Sequence, residues 1–181
     1  VIQPDLGTSL SIFILGVGIM FIAGVKIWKF AVGLLIMVIS YPFFWNSIKP
    51  YQQKRILSFL NPESDPLGQG YQLIQSKIAL GSGSLTGKGF LEGTQSYLEY
   101  LPEKQTDFIF TLIGEEFGFI GTIFVIFLYS LLILIAFYIS IKSIHVFGRI
   151  LSLGVALNLF IYVILNMAMV TGLMPVVGIP L

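Results

Sequence analysis

The chain has 181 residues, of which 56% are hydrophobic and 10% charged, and its mean hydropathy is +0.92; soluble domains carry roughly 25% charged residues, so an ordinary soluble domain is excluded. Ten Lys and Arg against nine Asp and Glu leave a net charge of +1, which offers no basic surface for nucleic acid and no acidic disordered tail. Cysteine is absent and His145 is the single histidine, which removes disulfides, thiolate sites and histidine-based metal centres and leaves only carboxylates to hold a cation.

Four apolar runs approach or exceed the length of about 20 residues that a bilayer crossing demands. In chain order they are residues 6–25, 30–45, 117–140 and 150–174. The chain opens Val-Ile-Gln-Pro, with no basic segment before the first run, so it carries no signal-peptide pattern. With no initial Met, and with Pro180-Leu181 directly after an apolar helix, it reads as part of a longer protein.

Charge sets the expected topology, because short loops rich in Lys and Arg stay in the cytoplasm. Lys26 and Lys29 lie between the first two runs, Lys142 and Arg149 between the last two, and neither connection contains an acid. All the acids fall on the other side, Asp5 before the first run and the rest between Glu63 and Glu116. The basic residues in that long segment do not overturn the assignment, since long loops cross largely regardless of charge. The expectation is an all-α polytopic membrane protein with four transmembrane helices. Two lie within 1–45 and two within 107–181, separated by a large extracytoplasmic loop, 46–106, that contains short interfacial helices.

A connection this long is expected to be functional or internally structured. From Tyr71, Ile74 and Ile78 recur at helical spacing opposite Gln72, Gln75 and Lys77. That predicts a short interfacial helix, either packed on the bundle or guiding a lipid-linked substrate. The glycine-rich run Gly81-Ser82-Gly83-Ser84-Leu85-Thr86-Gly87-Lys88-Gly89 fails the phosphate-loop spacing, because Ser82 and Gly89 stand where Gly and Ser or Thr are required. It remains a flexible hinge or an anion contact through its N–H groups and Lys88.

The densest chemistry is Leu101-Pro102-Glu103-Lys104-Gln105-Thr106-Asp107-Phe108, followed by Gly114-Glu115-Glu116-Phe117-Gly118. Thr106 or Asp107 is suited to cap the helix that becomes the third span. Asp107, Thr111, Gly114 and Gly118 then share one side of that helix as a small, polar groove. A capping role and a functional one both fit Asp107. Glu115 and Glu116 near the membrane surface require partners. In the fourth span Asn158, Tyr162 and Asn166 recur at i, i+4 and i+8, as interhelical hydrogen-bonding residues do.

These strings, with Gln3-Pro4-Asp5-Leu6-Gly7-Thr8, Asn61-Pro62-Glu63-Ser64-Asp65-Pro66-Leu67-Gly68, Gly93-Thr94-Gln95-Ser96, Thr106-Asp107-Phe108-Ile109-Phe110 and Met174-Pro175-Val176-Val177-Gly178-Ile179-Pro180-Leu181, give the chain its resemblance. It resembles the SEDS family (shape, elongation, division and sporulation) of peptidoglycan glycosyltransferases. Gly93 to Ser96 and Asn61 to Leu67 favour the rod-shape, elongation branch over the division branch. Members have about ten membrane helices, so the resemblance covers the end of the fifth through the ninth. Gln105 departs from the pattern, standing where many members carry His.

The resemblance implies polymerisation of lipid II into glycan strands, with inversion and release of undecaprenyl diphosphate, at the bacterial cytoplasmic (inner) membrane. Such a site needs a base on the attacking hydroxyl and positive charge on the leaving diphosphate. Asp107 matches the family's essential Asp and is the expected base. Asp5 is a supporting acid, and Lys88, Lys104 and Arg55 are possible leaving-group partners. Glu103, Thr106, Glu115 and Glu116 complete the supporting or substrate-binding set. A divalent cation, Mg²⁺ or Mn²⁺, bridging carboxylate and diphosphate is an alternative to a basic side chain. The implied partners are lipid II, membrane lipid and a class B penicillin-binding transpeptidase. A lipid II transporter and a scaffold that only recruits the transpeptidase are the competing readings; the confinement of the acids to one face favours chemistry there.

Overall fold

The computed structural model describes residues 6–47, 53, 57, 68–94, 106–176, 178, 179 and 181. Among these residues there is no strand, and five helices are defined: α1 (Leu6–Ile22), α2 (Ile27–Ser47), α3 (Gln69–Ser82), α4 (Ile109–Lys142) and α5 (Val146–Thr171). The all-helical expectation is met. Of the expected spans, α4 (34 residues) and α5 (26 residues) are long and apolar enough to cross a membrane, whereas α1 and α2 contain shorter apolar stretches. The 17 residues of α1 rise about 26 Å, against a hydrocarbon layer of about 30 Å.

Local chemistry sets the ends. The chain leaves α1 through Gly24 at φ 87°, and α5 stops at Gly172, whose left-handed backbone lets the Leu173 N–H reach Ala168 O at 2.8 Å. Only 11% of the most apolar stretch of α4 is buried; Phe119, Ile123, Phe124 and Phe127 all point outward. A helix apolar on all sides and uncovered by protein is suited to lipid.

The interior is organised by α5. One cluster gathers Phe108, Phe110, Met169, Val170 and Val176, and another joins Ile161, Leu165 and Ile179 to Ile14 and Leu15 of α1. Helix α3 lies against α4 and α5, in line with the bundle-packing alternative. Leu73, Ser76 and Ala79 are buried, while Ile74 and Ile78 are exposed. The Ser76 hydroxyl donates to Val170 O at 3.0 Å and lies 2.7 Å from the Thr111 hydroxyl. Small residues allow the close approach that puts these groups in reach. Along the expected groove, Ser76 of α3 meets Thr111 and Leu80 of α3 packs on Gly114, while Gly118 meets Leu85 and Gly87 of the glycine-rich run.

Helix α4 is broken. At Gly118 the backbone takes φ 66°, ψ −161°, a region essentially closed to residues with a side chain. A break orphans carbonyls above it and N–H groups below it, and the glycine-rich run satisfies both. The N–H groups of Lys88 and Gly89 donate to Glu115 O and Glu116 O at 3.0 Å each, and those of Phe119 and Ile120 donate to Ser84 O and Leu85 O at 3.0 and 3.1 Å. The run is thus a plug in the helix rather than a hinge, and the N–H groups of Lys88 and Gly89 are committed. A Cβ on Gly87 would fall on the Glu116 carbonyl, 2.6 Å from Phe117 Cα, so the plug requires glycine there.

Candidate active site

Asp107 precedes α4, but neither it nor Thr106 takes the capping position. Phe108 does, at φ −109°, with α4 starting at Ile109. Phe108 is fully buried in the cluster with Met169 and Val170, which holds this turn against α5. That apolar anchor, rather than a cap, sets where the helix begins.

Two further elements meet Asp107. From α5, the Asn166 amide nitrogen donates to Asp107 O at 2.9 Å and to Ile179 O at 2.7 Å. Asn166 is completely buried, and its Oδ1 has no partner among the described residues. The segment after α5 folds back, inserting Val176 and Ile179 into the two clusters. This places Gly178 (φ 72°) so that a Cβ there would lie 3.2 Å from Asp107 Oδ2. The Asp107 carboxylate is therefore half-buried beside a glycine, with its backbone tied through one amide to the returning strand of chain. Asn166 was legible only as one of three polar residues on a stripe; its partners, 59 and 13 residues away, were not. The stripe itself divides. Asn158 lines an apolar groove of about 490 Å³ between α1 and α5, with Leu15, Ile19 and Gly154, toward the opposite end of α5.

Replacing Asn166 by Leu removes the donor for two buried carbonyls. An unmet buried acceptor costs about 1–3 kcal/mol, so Asn166→Leu is expected to lower the melting temperature of the full-length protein in detergent. An unchanged melting temperature would mean that the amide does not tie these segments.

A second polar cluster forms at the break. The Lys88 ammonium donates to Glu115 Oε1 at 2.8 Å and to Thr94 Oγ1 at 2.7 Å, and the Thr94 hydroxyl donates to the same carboxylate oxygen at 3.2 Å. Glu115 is fully buried, and the Lys88 side chain is about a quarter exposed. Gly93 packs on the Glu115 carboxylate, where a Cβ would lie 2.9 Å from Oε2, which gives the Gly93-Thr94 pair a physical role. Glu116 is also buried. Eight positions separate Glu115 from Asp107, about 12 Å along a helix, so the Lys88–Glu115 pair and Asp107 form two sites. Thr106 is exposed. Asp5, Arg55, Glu103 and Lys104 lie outside the described residues.

Among the described residues no group of three or more acidic or histidine side chains gathers to hold a metal ion.

Long apolar helices whose side chains face outward, with an aspartate whose backbone is held just before the start of one of them, define an integral membrane protein with a polar group at one end of the bundle. The chain belongs to the FtsW/RodA/SpoVE family of cell cycle proteins, whose model matches residues 1–181. Its relatives include the peptidoglycan glycosyltransferase MrdB of Escherichia coli K12, 46% identical over 99% of this chain and 49% of MrdB. They also include the probable peptidoglycan glycosyltransferase FtsW of Trichlorobacter lovleyi, 42% identical over 99% of this chain and 46% of that protein. The stage V sporulation protein E of Bacillus subtilis is 41% identical over 99% of this chain and 48% of its own length. The chain thus spans about half the length of these relatives. A chain of a solved peptidoglycan synthase complex superposes with a TM-score of 0.75 at 33% identity, over 99% of this chain and 49% of the other.

Proposed function

We propose that this chain carries the catalytic carboxylate of a peptidoglycan glycosyltransferase that polymerises lipid II during cell elongation. In the transfer, the acceptor sugar 4-hydroxyl attacks the anomeric carbon of the donor and passes its proton to Asp107. The bond from that carbon to the diphosphate oxygen breaks with inversion, and undecaprenyl diphosphate leaves with the electron pair. The observation that carries the reading is the anchoring of the Asp107 backbone, through the buried Phe108 that follows it and through the Asn166 amide that donates to its carbonyl, with Gly178 leaving open space beside the carboxylate. A base held in place contributes through position as well as basicity. The charge that balances the diphosphate comes from Lys88, Lys104 or Arg55, or from a divalent cation; the pairing of Lys88 with Glu115 favours the other candidates.

The proposed setting is the bacterial cytoplasmic membrane, crossed by α1, α2, α4 and α5, with 46–106 outside and a class B penicillin-binding transpeptidase as partner. The superposition on a chain of a peptidoglycan synthase complex supports that partner class.

The full-length protein with its transpeptidase, supplied with lipid II in detergent, is expected to make glycan polymer and release undecaprenyl diphosphate. A transporter would make neither, and that result would overturn the reading. Chelation of divalent cations in the same assay is expected to leave polymerisation intact if a basic side chain balances the diphosphate, and to stop it if a cation does.

A further inference from the structure

Beyond the reaction, the plug in α4 displays an apolar surface that the helix break alone does not require. Leu85, Phe90 and Leu91 are 66%, 70% and 69% exposed, the most exposed large apolar side chains of the loop. Leu91 holds its position with φ 64°, which is uncommon for a residue other than glycine and persists only where the surroundings enforce it. The loop is not a loose excursion, because four hydrogen bonds fasten it to both sides of the break.

Its apolar surface continues that of α4. The Phe90 ring centroid lies 6.2 Å from that of Phe117, and Phe117 leads into the outward-facing Phe119, Ile120, Ile123 and Phe124. From the break to Lys142, residues 119–142 rise about 36 Å, slightly more than the hydrocarbon layer of about 30 Å. The plug therefore sits at the boundary of the bilayer opposite the basic connection of Lys142 and Arg149. Backbone can enter an apolar layer only when its polar groups are satisfied internally. Here Lys88 and Gly89 give their N–H groups to the helix, Ser84 and Leu85 receive N–H groups from it, and the Lys88 charge is matched by Glu115.

We propose that Leu85, Phe90 and Leu91 form a membrane anchor that inserts into the outer interfacial layer of the bilayer and fixes the broken end of α4 at that depth. The occupant of this surface is bilayer lipid. The proposal rests on α4 being a membrane span, and its test separates the two.

The full-length protein, in a cysteine-free background and reconstituted in lipid nanodiscs, carries one fluorophore at a time on Leu85→Cys, Phe90→Cys or Leu91→Cys. The fluorophore is quenched either by lipids with a nitroxide near the headgroup or by aqueous iodide. Phe124→Cys reports the lipid face of α4 and His145→Cys an aqueous connection. At positions 85, 90 and 91 lipid quenching is expected to match that at 124, with iodide quenching several-fold weaker than at 145. Strong iodide quenching would overturn the anchor. So would protection from both quenchers, since it would mean that protein covers the loop. Absence of lipid quenching at 124 would instead overturn the reading of α4 as a span.

Discussion

Gly118→Ala is expected to dismantle the outer end of α4. The Gly118 backbone lies where only glycine is comfortable, and a Cβ there would collide with Gly87 N and sit 2.7 Å from Leu85 C and O. The obstacle is the backbone of the plug, so no rotamer change relieves it. Backbone strain of about 1–3 kcal/mol adds to an overpacking cost of similar size. The chain can escape by making α4 continuous, which expels the plug and strands its hydrogen-bonding groups. The full-length variant should melt well below the wild type in detergent and become sensitive to protease within residues 83–94. A wild-type melting temperature would show that α4 tolerates a regular turn there.

Lys88→Met should be nearly as damaging. The substitution removes the cation that lies 2.8 Å from the completely buried Glu115 carboxylate, and breaking a buried pair from one side typically costs about 3–5 kcal/mol. Removing both charges is far cheaper, because an apolar pair of similar volume needs no compensation. Lys88→Met with Glu115→Leu should therefore recover most of the melting temperature that Lys88→Met loses. The comparison also separates structure from chemistry. Were Lys88 a contact for the leaving diphosphate, the single variant would lose polymerisation while keeping its stability, and the double variant would regain nothing.

The parts of this fold legible in the sequence are those that depend on neighbours in the chain. Unbroken apolar runs gave α1, α2, α5 and the distal part of α4, and the turn chemistry around Pro102 to Asp107 placed Asp107 beside the start of a helix. What escaped depends on pairing between distant segments. The plug joins residues 84–89 to 115–120, and no local periodicity announces that a glycine-rich stretch will cap a helix break some 30 positions later. Gly114 and Gly118 were visible as one side of α4, but that Leu80 of α3 would pack on the first and the plug on the second was not. For α3 the apolar pair Ile74 and Ile78, which stays exposed, was legible, but the inner face was not: there small Ser76 and Ala79 let backbones approach and the Ser76 hydroxyl finds its partners. Asn166 needed the structure as well, since a polar residue in a membrane helix announces that it has partners without saying which.

Everything proposed for the chemistry converges on the Asp107 carboxylate. The direct measurement is lipid II polymerisation by the full-length protein bearing Asp107→Asn, in complex with its transpeptidase. Asn preserves the size of the side chain beside Gly178 and leaves the backbone carbonyl that Asn166 holds, but it cannot accept the proton. Polymerisation should fall by about 10²–10⁴-fold, the typical contribution of a general base, with the melting temperature and the complex unchanged. Polymer formed at the wild-type rate by Asp107→Asn would contradict the assignment and leave Asp107 a structural residue at the start of α4.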